Sequence, residues 1–168
     1  MIFFSCGKGS AQNTIETIGD VALYASPAIV LSVSLIEKDK KGLIIYAKGA
    51  ALNAAVTLVL KEIVKKERPN GEDFKSFPSG HTSGTFQGAD FLQKRYGWKY
   101  GIPAYAVATY TGFSRIHAKK HFVEDVAVGA VIGILSSSIF TKKKLIPNST
   151  FYFDKKGKDF YLSYSYQF

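Results

Sequence analysis

Apolar residues recur at helical spacing over residues 15–37 and again over 42–66, with the polar run Glu37-Lys38-Asp39-Lys40-Lys41-Gly42 between them. This predicts two long helices joined by a short turn. A third helix is expected to start at Ser79-Gly80-His81 and run to about Tyr96. Gly97 and Gly101-Ile102-Pro103 then set off a fourth over roughly 103–115, and a fifth over about 121–140 ends at Lys142-Lys143-Lys144. In the last twenty residues the period changes. Phe151 and Phe153, then Phe160, Leu162, Tyr164, Tyr166 and Phe168, alternate with polar or smaller neighbours around the turn 154–159, which reads as a β-hairpin. The expected fold is an all-α helical bundle of about five helices with a C-terminal β-hairpin packed on it. The expected division is 1–14 N-terminal segment, 15–145 helical domain and 146–168 hairpin extension.

Two apolar stretches, Val21 to Ile36 and Val126 to Thr141, fall short of the ~20 residues of a comfortable membrane span, and a third, Leu43 to Leu60, carries Lys48 and Asn53. Core helices of a soluble domain and short spans of a membrane enzyme both remain open. Met1-Ile2-Phe3-Phe4 and the small residues up to Ser10-Ala11 suit the remnant of an export signal, but there is no basic region before them. The single cysteine, Cys6, excludes an internal disulfide and a cysteine-based metal cluster. A net charge of +9 points to anionic partners: phosphates, acidic headgroups or nucleic acid.

Three blocks narrow that choice. In the first, Lys61 and Arg68 are seven apart, two turns of helix, which is expected to put them on one face, and Pro69 is expected to stop the helix at Arg68. An arginine there offers two parallel donors to phosphate oxygens. The second, Phe77-Pro78-Ser79-Gly80-His81-Thr82, places Ser79 as an N-cap. The unpaired N–H groups of the first turn suit an anion, Gly80 clears space for one, and His81 can protonate a leaving oxygen. In the third, Ser114 to Asp125, His121 and Asp125 are four apart, so on a helix the carboxylate reaches the imidazole and fixes its tautomer. Arg115 faces the same way as His121 only if the chain breaks within 116–120. Each block alone also suits an ordinary basic helix end, a capped helix or a surface ion pair. Together they supply cations, a helix N-terminus, a nucleophile and an acid, the parts needed for phosphoryl transfer without a metal.

The pattern K-x6-RP, PSGH and SR-x5-H-x3-D resembles the type 2 phosphatidic acid phosphatase superfamily, which also holds bacterial acid phosphatases and vanadium haloperoxidases. The resemblance covers about 61–125. It implies that His121 is the nucleophile, Asp125 its partner and His81 the general acid. Lys61, Arg68, Ser79, Gly80 and Arg115 would bind phosphate, with no metal and no cofactor. Only eight residues separate Pro69 from Pro78, which resembles the compact bacterial lipid phosphatases more than the soluble acid phosphatases. The expected partner is a phosphorylated lipid or small phosphate ester at an envelope membrane, with an extracytoplasmic site and no nucleic acid. A broad-specificity soluble phosphatase, a vanadate-dependent haloperoxidase and a non-enzymatic basic membrane-binding module are the alternatives.

Overall fold

The computed structural model describes residues 8–144, 149–156 and 159–166, with side chains from 14 to 144. The expected export-signal remnant lies largely outside the described residues. Five helices run up and down in sequence: α1 Lys8–Ile36, α2 Lys40–Val64, α3 Gly80–Tyr96, α4 Trp98–His117 and α5 Val123–Ser138. Asp39 caps α2 by accepting from the Gly42 N–H at 2.9 Å, and Arg95 holds the same carboxylate with two bonds of 2.7 and 3.0 Å. One residue, Gly97, joins α3 to α4 with φ at 95°, a conformation that costs glycine little. The fourth helix therefore starts five residues before the expected position, and Pro103 sits inside it.

The helix α3 touches all four others, yet it is the least apolar of them. Its buried side chains include Thr82, Ser83, Thr85, Gln87 and Asp90, while large apolar residues such as Leu35, Ile44, Leu58, Ile102, Leu135 and Ile139 point outward. Small residues bring the backbones close: a Cβ at Gly129 would come within 2.6 Å of the Ser79 carbonyl oxygen. Small polar contacts inside and apolar side chains outside are the arrangement of helices that meet in lipid. A small apolar core of Val30, Val33, Phe91 and Leu92, flanked by Tyr46, Tyr96 and Tyr100, sits toward the α3–α4 turn. Residues 14–36 and 40–64 are each long and apolar enough to cross a membrane, with only 28% and 17% of their apolar windows buried by the protein.

The expected fold class needs correction at the C-terminus. The folded body is all-helical, and no strand takes part in it. Residues 149–156 and 159–166 pair only with each other, antiparallel, and touch no helix among the described residues. Alternating aromatics report a tendency to pair strand to strand, but two strands have no second layer to bury a face, and an isolated pair is marginal in water. The bundle is complete without them.

Candidate active site

All three sequence blocks meet at one end of the bundle, where α2 finishes, α3 and α5 begin and α4 ends. The helix α2 stops at Val64, short of the expected stop at Arg68, because Lys65 turns left-handed (φ 44°, ψ 48°). Arg68 therefore lies in the loop and does not share a helix face with Lys61. The loop brings it back: its Nε donates to Asp73 at 2.7 Å, and its Nη1 approaches the Lys120 carbonyl at 3.4 Å. Lys61 Nζ donates to the Lys75 carbonyl at 2.7 Å, which ties the end of α2 to the same loop. On the other side, α4 ends at His117, and Lys119 adopts a positive φ of 55°. The N–H groups of Lys120 and His121 fold back onto the Arg115 carbonyl at 3.0 and 3.3 Å. This is the break that the Arg115–His121 spacing requires.

His121 is 3% exposed, and its Nδ1 lies 2.6 Å from the Ser76 carbonyl oxygen. A carbonyl can only accept, so Nδ1 carries the proton and Nε2 keeps its lone pair. Burial and then the nearby Arg68 guanidinium push the imidazole down to about 3, so it stays neutral across the physiological range.

The expected His121–Asp125 hydrogen bond is not the contact that forms. The helix α5 begins at Val123, so His121 lies before it and the i,i+4 relation of a helix does not apply. Asp125 instead sits in the first turn. Its Oδ2 accepts from the Phe122 N–H at 3.0 Å and the Ser76 hydroxyl at 2.5 Å, and its Oδ1 pairs with Lys66 at 2.7 Å. Burial alone would raise this carboxyl, but Lys66, Ser76 and the Phe122 N–H together hold it below its usual value. Asp125 thus grips Ser76, and the Ser76 carbonyl grips His121.

Ser79 is fully buried and caps α3: its Oγ accepts from the Thr82 N–H at 3.4 Å, and its own N–H donates to the Asp125 carbonyl at 3.0 Å. Gly80 follows, with Lys61 Cε 3.9 Å from where a Cβ would be. The next residue, His81, places Nε2 2.8 Å from Asp20 Oδ1 of α1, and the same oxygen takes Arg115 Nη1 at 2.8 Å. Burial and the Arg115 charge lower His81, and Asp20 works against them. The charge of Arg68 acts on both imidazoles, so His81 and His121 lie at the same end of the bundle. Among the described residues no group of three or more His, Cys, Asp or Glu could hold a metal ion. Asp20, Ser76 and Lys66 are site residues that the motif spacing does not reveal. Asp20 alone left a trace, as one of two charges in the apolar span 14–36.

Residues 42–145 match the PAP2 superfamily. The chain belongs to that superfamily. It is 33% identical over 140 residues to the lipid A 4'-phosphatase of Helicobacter pylori strain J99, an alignment covering 77% of this chain and 70% of that protein. It is 38% identical over 135 residues to the lipid A 1-phosphatase of Porphyromonas gingivalis, but spans only 30% of that protein's length. In fold it is similar to the crystal structure of Aquifex aeolicus LpxE, with a TM-score of 0.67 at 22% identity, covering 78% of this chain and 85% of the other. This PAP2 chain is a phosphatase, and two of its helices are long and apolar enough to cross a membrane.

Proposed function

We propose that this phosphatase removes a phosphate monoester from a membrane lipid through a phospho-histidine at His121, without a metal. The observation that carries the reading is the His121 ring: its proton is held on Nδ1, its Nε2 is free, and burial keeps it neutral. Nε2 attacks phosphorus and the ester P–O bond breaks. The departing oxygen takes a proton from His81, forming the lipid alcohol. His81 then takes a proton from water, the resulting hydroxide attacks the phospho-imidazole, and inorganic phosphate leaves with His121 restored. Lys61, Arg68, Arg115 and the N-terminus of α3 at Ser79 and Gly80 neutralise the phosphoryl oxygens.

A lipid substrate is supported by the apolar exterior of α1 and α2 and by two relatives whose names specify lipid A.

The test uses protein purified in detergent, with radiolabelled lipid A and, separately, labelled phosphatidic acid, with EDTA present. Release of phosphate with transient, acid-labile label on the protein, absent in His121→Ala, is the expected result. Loss of activity in EDTA, or turnover retained in His121→Ala, would refute the mechanism. Hydrolysis of water-soluble esters but neither lipid would refute the substrate class.

A further inference from the structure

We propose that Asp20 is an internal stand-in for the substrate phosphate: its carboxylate occupies the point between Arg115 and His81 where a phosphate oxygen binds, and the substrate must displace it. This rests on the phosphate-site reading above. One oxygen, Oδ1, accepts from both His81 Nε2 and Arg115 Nη1 at 2.8 Å each, as an oxygen of a bound phosphate ester would accept from an arginine and a general acid. The rest of the guanidinium is already held: Nη2 donates to the Glu16 carbonyl at 2.6 Å and Nε to Ser114 Oγ at 3.2 Å. Arg115, 3% exposed, is therefore aimed by its surroundings, and the Nη1 edge is the one that faces an exchangeable anion. Asp20 is 41% exposed at its side chain, so it has water to turn into when it leaves.

The closeness of α1 is built into the fold. A Cβ at Gly19 would overlap the Ser114 hydroxyl and come within 2.7 Å of Arg115 Nη2, so glycine at 19 is what lets α1 set the next residue's carboxylate into the site. Glu16, one turn earlier on α1, reaches Lys120 at 3.5 Å, on the loop that carries His121. A carboxylate there keeps the buried Arg115 paired and His81 hydrogen-bonded while the site is empty, and it lowers the apparent affinity for phosphate by the fraction of time it is in place.

The experiment measures inhibition by inorganic phosphate, together with KM and kcat on the lipid phosphate, for the wild-type protein and for Asp20→Asn and Asp20→Ala in detergent. Thermal denaturation confirms that each variant is folded. The expected result is inhibition by phosphate about tenfold tighter or more in both variants, with KM lowered and kcat not reduced. Should one variant fail to fold, the other carries the test. Unchanged phosphate inhibition, or a fall in kcat at constant KM, overturns the proposal and makes Asp20 a fixed partner of His81. Absence of phosphate inhibition in the wild type and both variants counts against the phosphate site itself, and so against the reading beneath the proposal.

Discussion

Removing the Ser76 hydroxyl and the Asp125 carboxylate, singly and together, separates two ways in which Asp125 can serve His121. If the carboxylate acts on the imidazole through its own field, the two deletions affect transition-state stability independently. If it acts by fixing Ser76, whose carbonyl holds Nδ1 at 2.6 Å, either deletion breaks the same chain and the second adds little. The Ser76–Asp125 bond is 2.5 Å long, fully buried and made to a charged acceptor, which places it in the range of about 1.5–3 kcal/mol. Expressed in kcat/KM that is about ten- to a hundredfold for Ser76→Ala. Asp125→Ala also releases Lys66 and the Phe122 N–H, so it costs at least as much. The double variant should match Asp125→Ala within about threefold, a coupling energy of roughly 1–3 kcal/mol. The assay is steady-state hydrolysis of a lipid phosphate by all four proteins, with the KM and kcat effects separated. A positioning fault lowers kcat and leaves KM nearly unchanged. Multiplying single effects in the double variant would refute the relay and return Asp125 to direct action on the ring.

Two further outcomes follow from the same geometry. His121 has a folded value of about 3 against 6.5 for a free imidazole, so between those limits the unfolded chain binds a proton that the folded chain refuses. Its contribution is fully present above pH 6.5 and is lost as pH falls toward 3, at most about 5 kcal/mol. Thermal denaturation at pH 7 and pH 5 should therefore show a smaller acid destabilisation in His121→Gln than in the wild-type protein, and equal losses would mean the ring is not buried neutral. Gly19→Ala trades about 1 kcal/mol of gained helix propensity against overlap with Ser114 and Arg115 worth about 1–3 kcal/mol. A drop in Tm of a few degrees is expected, and a rise would show that α1 is not seated on the site.

Short-range rules worked wherever they stayed short. Ser79 caps α3 as its place before a helical run suggests, and the break after His117 was deducible because six residues of continuous helix would turn Arg115 and His121 to different sides. The rules failed where they assumed that a helix continues. Lys61 and Arg68 share a face only if α2 runs past Lys65, and Asp125 reaches His121 only if α5 starts before Val123. A left-handed residue ended α2 early and a capping carboxylate started α5 late, and in each case a loop contact replaced a side-chain pairing. The usable signal at Asp125 was its place beside a helix start, where an acid more often binds backbone N–H groups than a neighbouring ring.

What stayed hidden has a different cause. Asp20 meets Arg115 across 95 positions of chain, and no period or spacing encodes such a contact. The distribution of polarity compounds the difficulty. Period analysis assumes apolar residues turn inward, yet here Thr82, Ser83 and Gln87 are buried while Leu58, Ile102 and Leu135 face out. Under that inversion an acid inside an apolar run is not a flaw in a core face but a pointer inward, to where its partners must be, because lipid offers it none. Reading Glu16 and Asp20 in that way would have placed α1 against the cationic site before any coordinates were known. It is also why a carboxylate beside Arg115 is tolerable here: a guanidinium this buried would cost more unpaired than paired.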